Sequence, residues 1–353
     1  METINGFGYY FVGAVKPLEK KPVVIDQIAE DEVVVEVAGC GLCHTDLGFI
    51  SGSVKTNHEL PLILGHEISG KVVASGGKFD NLLGKNVIIP AVLPCGECEF
   101  CKSGRSNVCR NQKMPGNDFN GGFASHIAVP ARFLCELPDN LGKFDVWQLS
   151  VVADAITTPY QSLEKSGLKA GELAIVIGVG GIGTYMAQLT KYKGAKLIAI
   201  DIDDAKLENI KKLGADFVIN SKNMSEKDLK KHIRGLVKEN NLPAHKWKVF
   251  ECSGTSIGQS VAFSLLSFAG VVGIVGFTMD KVTVRLSNLM AFDAEMFGNW
   301  GCKPEHYPAV RDIVLQEKIN LVDNIEEHKL DEINEVLKLA FEHKLTKRVI
   351  FRP

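Results

Sequence analysis

From about Ala155 onward, strand-like and helix-like segments alternate, and this alternation constrains the fold more than any other feature of the chain. The strand-like segments are ELAIVIG, KLIAID, DFVIN, KVFECSG and GVVGIVG, and helical patterns lie between the earlier ones. Parallel strands need a long crossover connection, which is usually a helix. Alternating units therefore predict an α/β domain with a doubly wound parallel sheet and helices on both faces.

A glycine-rich turn follows the first of these strands. Gly178, Gly180 and Gly183 form the pattern G-x-G-x-x-G, with Gly181 and Ile182 inside it, directly before a helical pattern. The three spaced glycines permit a tight turn, a close approach of the backbone to a pyrophosphate, and close packing of helix on strand. The helix N-terminus offers unpaired N–H groups to phosphates. In this context the pattern predicts a dinucleotide site; the alternative is a turn that only packs tightly.

The end of the next strand indicates which dinucleotide is bound. Asp201 ends KLIAID, where a carboxylate can accept both ribose hydroxyls and repels a 2′-phosphate. Asp203 and Asp204 add to that repulsion. We therefore predict NAD as the cofactor rather than NADP.

The first ~150 residues show a different pattern of residue types. They are rich in glycine, proline and short strand-like runs, including EVVVEVAGCG, ISGKVVASGG, KNVIIPAV and ASHIAVPA. Short strands with frequent turn signals predict an irregular β-rich domain. After about residue 297 the alternation of strands and helices stops, and the last segment reads as a helix followed by a final strand.

Composition excludes some classes of function. The formal net charge is −2, from 40 basic and 42 acidic residues, so nothing indicates nucleic-acid binding. The N-terminus lacks the basic region of a signal peptide, and the longest apolar runs are shorter than the ~20 residues of a membrane span. We expect a soluble, cytoplasmic protein without membrane contact, in which thiols stay reduced.

Four of the nine cysteines lie in one short segment. Their spacing is C-x2-C-x2-C-x7-C, at Cys95, Cys98, Cys101 and Cys109. Four thiolates this close predict a closed, tetrahedral structural zinc site. An Fe–S cluster also uses four cysteines, but the intervening Glu97 and Glu99 do not favour a redox centre. Four unliganded thiols are the remaining alternative.

A second set of residues suits an open metal site. CGLCHTD contains Cys43, LGHEISG contains His66 and Glu67, and VVADAITTPY contains Asp154. A cysteine, a histidine and a carboxylate with a free fourth position form a catalytic zinc site. Each residue alone is more often part of a packed core, so the prediction depends on their occurrence together beside a nucleotide fold.

Together, CGLCHTD, GHE, the four-cysteine segment, GVGGIG and Asp201 resemble the zinc-dependent medium-chain alcohol dehydrogenases over essentially the whole chain. The resemblance implies a doubly wound Rossmann domain inserted into a β-rich, GroES-like catalytic domain. The implied ranges are 1–155 for the catalytic domain, with a structural zinc lobe at about 94–110, then 156–297 for the NAD-binding domain, and 298–353 for the segment that completes the catalytic domain.

The resemblance also implies the cofactors and the roles of individual residues. One NAD and two Zn²⁺ ions per chain are implied, with the catalytic ion on Cys43, His66 and Asp154 and with Glu67 as a transient ligand. Thr45 would accept the substrate proton, and Asp46 would support the ligands. Further contacts with the cofactor are implied for His44, Thr158, Lys206 and Arg348. Gly48 stands where some relatives have a proton-relaying histidine, so the outer end of the proton path is not predicted.

Longer stretches, including KMPGNDFNGGFASHIAVPAR and SVVADAITTPYQ, are similar to a narrower group of this family. That group oxidises 6-hydroxycyclohex-1-ene-1-carbonyl-CoA to the 6-oxo thioester in anaerobic degradation of benzoyl-CoA. The resemblance implies a CoA-thioester substrate and a homo-oligomer, with a tetramer favoured over a dimer. The residues expected to contact the substrate are Ala91, Val92, Met114, Asn117 and Asp118.

Other hypotheses stay open at this stage. The same zinc and NAD machinery serves a dehydrogenase of another cyclic or secondary alcohol or of a polyol. A protein that binds NAD and zinc without catalysis is a different class, although it would not need an open metal site. A zinc ribbon for nucleic acid is disfavoured by the net charge.

Overall fold

The computed structural model describes residues 3–353 of the chain. The chain divides into two compact units. The first unit comprises Met1–Thr157, Gly301–Glu317 and Leu321–Pro353, and the second comprises Thr158–Trp300 and Lys318–Asn320. Most of the second unit is thus one long insertion in the sequence of the first unit. The short segment Lys318–Asn320 also belongs to the second unit, although the residues on both sides of it belong to the first.

The first unit begins with short strands and few helices. In chain order these are β1 (Ile4–Phe11), β2 (Glu19–Ile25), β3 (Glu32–Gly41), α1 (His44–Ser51), β4 (Leu62–Ile63), β5 (Glu67–Ser75), β6 (Asn86–Ile89), α2 (Glu99–Lys102), β7 (His126–Pro130) and β8 (Cys135–Glu136). Short 3-10 helices lie at Asp80–Leu82, Ser106–Val108 and Val146–Ala153. The predicted irregular β-rich region is confirmed, and β3 coincides with the run EVVVEVAGCG.

The second unit alternates helices and strands. The elements are α3 (Thr157–Ser166), β9 (Leu173–Ile177), α4 (Gly181–Tyr192), β10 (Lys196–Asp201), α5 (Asp204–Lys212), β11 (Phe217–Asn220), α6 (Glu226–Glu239), β12 (Lys248–Glu251), α7 (Ser256–Ser264), β13 (Val271–Ile274), α8 (Ser287–Phe292) and β14 (Glu295–Gly298). The strands form one parallel sheet in the order β11-β10-β9-β12-β13-β14. This is the strand order of a dinucleotide-binding doubly wound fold, as predicted.

The C-terminal tail returns to the sheet of the first unit. It contains α9 (Tyr307–Leu315), β15 (Ile325–Lys329), α10 (Ile333–Phe341) and β16 (Arg348–Arg352), with 3-10 helices at Pro304–His306, Val322–Asn324 and Leu330–Glu332. β16 pairs antiparallel with β3, which gives the order β15-β16-β3-β5-β6-β8, and β7 also pairs with β3. A smaller sheet has the order β2-β1-β4. The last strand of the chain therefore lies beside the strand that leads to Cys43.

Each unit has its own apolar core. In the first, Phe123 and Phe351 pack edge to face with ring centroids 5.5 Å apart, among buried valines and isoleucines of β3 and β5. In the second, buried aliphatic side chains of β9, β10 and β12 pack against α6 and α7. No helix within residues 3–353 is long and apolar enough to cross a bilayer.

Candidate metal centres and cofactor site

Four side chains from three distant parts of the sequence converge in the first unit. Cys43 immediately precedes α1, and His66 and Glu67 lie at the start of β5. Asp154 follows the 3-10 helix that ends at Ala153. One ligand atom from each of the four side chains lies within 4.8 Å of the other three. The structure thus brings together the residues that were predicted to form the open metal site.

The distances in this cluster suit a tetrahedral zinc ion. Cys43 Sγ lies 3.5 Å from Asp154 Oδ2, and His66 Nε2 lies 3.7 Å from the same oxygen. Ligands at normal zinc bond lengths in a tetrahedron are separated by about 3.3–3.8 Å. A thiol, an imidazole and carboxylates are also a donor set that zinc prefers. Asp154 is only partly buried, whereas the other three members of the cluster are buried.

Asp46 orients two of the ligands from behind. Its carboxylate is fully buried, accepts the backbone N–H of Cys43 at 3.0 Å, and accepts that of Gly65 at 3.1 Å. Asp46 Oδ1 also lies 3.6 Å from Nδ1 of His66. That distance is too long for a hydrogen bond, but a negative charge beside Nδ1 favours the tautomer that carries its proton there and leaves Nε2 free for a metal. The structure thus places Asp46 where the resemblance implied a supporting residue.

Glu67 forms a buried ion pair. Arg348, the first residue of β16, donates through Nε to Glu67 Oε2 at 3.0 Å and through Nη2 to Glu67 Oε1. Burial raises the pKa of the Glu67 carboxyl above its usual value, and the guanidinium opposes that rise. In this structure Arg348 therefore pairs with a residue of the predicted metal site. Its implied contact with the cofactor, and the transient ligation by Glu67, stay predictions.

The first turn of α1 carries two exposed polar side chains beside the metal cluster. Thr45 Oγ1 lies 3.7 Å from Cys43 Sγ, and both His44 and Thr45 are exposed. The hydroxyl of Thr45 thus lies beside a predicted ligand on an exposed residue, and its role as proton acceptor stays a prediction. The contact of His44 with the cofactor stays a prediction.

The four clustered cysteines form a second, closed group. The Sγ atom of Cys95 lies 3.9 Å from that of Cys101 and 3.4 Å from that of Cys109. Cys98 Sγ lies 3.5 Å and 3.6 Å from the same two atoms. Tetrahedral zinc with four thiolates separates the sulfurs by about 3.8 Å. Backbone N–H groups directed at Cys95 lower its pKa to about 6, which favours the thiolate form that binds metal.

The glycine-rich turn of the second unit has the geometry of a phosphate cradle. Gly178 has a φ of 81°, and a Cβ there would lie 2.6 Å from the backbone of Ser253. A Cβ on Gly183 would lie 1.8 Å from the carbonyl oxygen of Gly178. Gly180 precedes α4 and faces open space, where the nearest atom to its ideal Cβ is Nζ of Lys206 at 4.0 Å. An amine over a helix N-terminus suits a pyrophosphate.

Asp201 links the end of β10 to this turn. Its Oδ2 accepts the N–H of Val179 at 2.8 Å, and its Oδ1 accepts those of Ile202 and Asp203 at 2.7 and 3.1 Å. Oδ2 keeps one lone pair for a ribose hydroxyl, whereas both lone pairs of Oδ1 are used by the two N–H groups. Thr158 lies in α3, is buried, and its carbonyl accepts a hydrogen bond from Asn299; its implied place beside the nicotinamide stays a prediction.

The polar side chains expected to contact the substrate form hydrogen bonds within their own loop and to Asn57, in the segment before β4. Asp118 accepts the N–H of Met114 at 2.8 Å and the Nδ2 amide of Asn57 at 2.8 Å. Asn117 Oδ1 accepts the N–H of Asn57 at 3.0 Å. These bonds shape the loop after the four-cysteine segment and tie it to the segment that contains Asn57. Their roles in substrate binding stay predictions.

Ala91 and Val92, the other two residues expected to contact the substrate, are buried after β6. The N–H of Ala91 donates to the hydroxyl of Tyr307 at 3.0 Å. Tyr307 is a residue that no sequence pattern singled out. A lone tyrosine in a helix carries no motif, so only the structure shows that its hydroxyl reaches this segment.

Comparison with known proteins agrees with both units. Residues 29–139 match the alcohol dehydrogenase GroES-like domain, and residues 181–316 match the zinc-binding dehydrogenase family. An alcohol dehydrogenase of Geobacillus stearothermophilus is 30% identical over 340 residues, which is 96% of each chain. An uncharacterized zinc-type alcohol dehydrogenase-like protein of Haemophilus influenzae is 32% identical over 85% of this chain and 84% of its own.

Solved structures give the same result. The alcohol dehydrogenase of the archaeon Aeropyrum pernix superimposes with a TM-score of 0.88 at 26% identity, over 98% of this chain and all of the other. The galactitol-1-phosphate dehydrogenase of Escherichia coli shares the fold, with a TM-score of 0.87 at 23% identity over 99% of this chain and all of the other. The predicted resemblance at the level of the family is confirmed. The chain belongs to the zinc-dependent medium-chain alcohol dehydrogenases, and it is an oxidoreductase that acts on alcohols.

Proposed function

We propose that this dehydrogenase oxidises the ring hydroxyl of 6-hydroxycyclohex-1-ene-1-carbonyl-CoA to a ketone, with NAD⁺ as hydride acceptor. One observation supports this class of reaction. It is the partly buried cluster of potential zinc ligands, Cys43, His66, Glu67 and Asp154. The choice of a CoA thioester is supported by the longer stretches that resemble the narrower group, such as KMPGNDFNGGFASHIAVPAR.

Different residues of the chain would hold the metal ion, orient its ligands and transfer the substrate proton. A zinc ion in the cluster supplies a Lewis acid that favours ionisation of the substrate hydroxyl. Oxidation removes one proton from that hydroxyl and one hydride from the carbinol carbon. The Thr45 hydroxyl would accept this proton while it gives its own proton onward, so that it stays neutral throughout, and its residue is exposed. Asp46 would keep His66 in the ligating tautomer throughout.

The proton path predicts a specific effect of changing Thr45. Thr45→Val removes the hydroxyl but keeps the shape of the side chain, and we expect kcat/KM for alcohol oxidation to fall about 10²–10⁴-fold, the usual contribution of a positioned proton-transfer group. Thr45→Ser keeps the hydroxyl and is the matched control, with activity near that of the original protein. Steady-state NADH formation measures both. Equal activity of the valine and serine variants would rule out this role.

The carboxylate of Asp201 predicts a preference between cofactors. We expect kcat/KM with NAD⁺ to exceed that with NADP⁺ by at least about 100-fold, because a 2′-phosphate beside a carboxylate costs several kcal/mol. Asp201→Asn removes the charge and keeps one acceptor oxygen, so it should lower the ratio of kcat/KM with NAD⁺ to kcat/KM with NADP⁺. The ratio is measured with both cofactors at one alcohol concentration. A protein that uses both equally well would contradict the prediction.

We also propose that the chain is a homo-oligomer, a tetramer rather than a dimer. β14 is an edge strand of its sheet, and the same unit exposes large apolar side chains, among them Phe277, Met279 and Met290. A second copy of the chain would cover them, and light scattering would give the mass of the assembly. Within the described residues none of the nine cysteines forms a disulfide, which suits a reducing cytoplasm.

A second candidate is the oxidation of another cyclic or secondary alcohol or of a polyol. The names of the relatives favour it, since two of them are called simply alcohol dehydrogenases. The open metal cluster would serve these substrates equally well. The two candidates differ in whether the CoA group contributes to binding.

The deciding experiment measures NADH formation with the CoA thioester and, in parallel, with its free acid. Fast turnover of the thioester alone would support the proposed substrate. Equal or faster turnover of the free acid would eliminate the CoA requirement and favour the second candidate. If neither compound is oxidised by protein that holds both zinc ions and oxidises simple alcohols, the proposed substrate is wrong and the family assignment stands.

A further inference from the structure

A buried tyrosine from the C-terminal tail reaches the backbone next to the metal ligand Asp154. Tyr307 is the first residue of α9, and its side chain is fully buried. Its hydroxyl donates to the carbonyl oxygen of Ala153 and accepts the N–H of Ala91 at 3.0 Å. One hydroxyl thus joins the residue before a metal ligand to a segment expected to line the substrate pocket.

The backbone at Asp154 lacks the support of regular secondary structure. The 3-10 helix ends at Ala153, and Asp154 has φ −142° and ψ −56°, which is neither helical nor extended. The carbonyl of Ala153 accepts a second hydroxyl hydrogen bond, from Thr157 Oγ1 at 3.2 Å. Two buried side-chain donors therefore hold the peptide that precedes the ligand.

The orientation of this peptide determines where the carboxylate of Asp154 lies. Rotation of the peptide would swing Asp154 Oδ2 away from Cys43 Sγ, now at 3.5 Å, and from His66 Nε2, now at 3.7 Å. Hydrogen bonds that are shielded from water are strong and directional. A phenylalanine would fill the same space as Tyr307 but would provide neither bond.

We propose that Tyr307 is a positioning residue, which sets the position of Asp154 as a metal ligand by fixing the carbonyl of Ala153. The same hydroxyl accepts the N–H of Ala91. It therefore also fixes the distance between the segment at Ala91, which is expected to line the substrate pocket, and the ligand Asp154. Tyr307 acts through the backbone and contacts neither substrate nor cofactor. Its effect would be the same for any alcohol substrate and does not depend on the proposed thioester.

The test uses Tyr307→Phe in the full chain and measures metal binding at each site separately. Co²⁺ replaces zinc, and the two sites are distinguished in the visible spectrum because one has four thiolates and the other has one. We expect metal affinity at the site of Cys43, His66 and Asp154 to fall about 10–100-fold, as for other residues that orient ligands. Its Co²⁺ bands should shift, while the bands of the four-cysteine site stay unchanged.

Matched variants separate positioning from general stability. Tyr9→Phe removes another tyrosine hydroxyl of the same unit, which donates to Asp331 at 2.8 Å, and it should leave both Co²⁺ spectra unchanged. Thr157→Val removes the other donor to the Ala153 carbonyl and should weaken the same metal site. This second variant tests the same carbonyl if Tyr307→Phe does not fold.

Two results would overturn the proposal. The first is an unchanged Co²⁺ spectrum and affinity at the mixed-ligand site in Tyr307→Phe, or in Thr157→Val if that variant stands in for it. The second is an equal loss of metal from both sites, since the four-cysteine site belongs to the same unit and would then report a general loss of stability. A selective change at the mixed-ligand site supports positioning.

Discussion

Asp154→Ala is expected to lower kcat/KM for alcohol oxidation by about 10³-fold or more and to leave one zinc ion per chain instead of two. The lost ligand is the one whose Oδ2 lies within 3.7 Å of both Cys43 Sγ and His66 Nε2. A metal that polarises the substrate oxygen contributes several kcal/mol to the transition state, and each ~1.4 kcal/mol is a factor of ten in rate. Steady-state kinetics and metal analysis of the same sample test both parts.

Asp154→Cys is the matched control for this change. A thiolate is also a normal zinc ligand, so the cysteine variant should keep two zinc ions and most of the activity. If Asp154→Ala retained both zinc ions and full activity, Asp154 would not be a ligand. If the alanine variant lost both ions together, the change would have disrupted the unit as a whole, and the ligand assignment would need other support.

Removal of one cysteine from the four-cysteine site is expected to lower the stability of the fold and to change the catalytic activity much less. Cys98→Ala should release one zinc ion and lower the melting temperature by about 10 °C, because a structural zinc contributes several kcal/mol to folding and each kcal/mol corresponds to a few degrees in a domain of this size. Activity per remaining catalytic zinc, measured at low temperature, should stay within about threefold of the original, since a closed site has no position for substrate.

Cys135→Ala is the control for the loss of a buried thiol. Cys135 is buried and belongs to neither cluster, so its replacement should keep two zinc ions and cost about 1 kcal/mol, the typical effect of a point change. The two melting temperatures, measured by calorimetry, give the contribution of the metal by difference. Equal losses in the two variants would mean that the four-cysteine site does not stabilise the fold.

The architecture of the second unit could be predicted because its signals are local. Buried strands such as LAIVI read as apolar runs, and the glycines of the turn are required by backbone contacts within one βαβ unit. β14 was not predicted, because EMFG is partly exposed and has no clear apolar alternation. The parallel strand β15 was missed for a similar reason, since IEEHK is mostly polar.

The two metal sites differ in how much of each could be predicted from the spacing of residues in the sequence. The four-cysteine site is contained in fifteen residues, so its spacing alone predicts a tetrahedral cluster. Cys43 and Asp154 are 111 positions apart, and no spacing rule connects them. Their occurrence together beside a nucleotide fold suggested the set, and the resemblance to a family implied the role of each member. The packing of α1, β5 and the 3-10 helix in one unit brings the four side chains within 4.8 Å of one another.

Local pattern thus determined the doubly wound sheet, the glycine turn and the closed zinc site, because each depends on residues close together in the chain. Only the tertiary structure decided that Arg348 pairs with Glu67, that Asp118 shapes its own loop, and that Tyr307 holds the carbonyl before Asp154. Such pairings depend on how distant strands and helices pack. A single sequence does not encode them as a readable pattern, because each partner alone looks like an ordinary buried or loop residue.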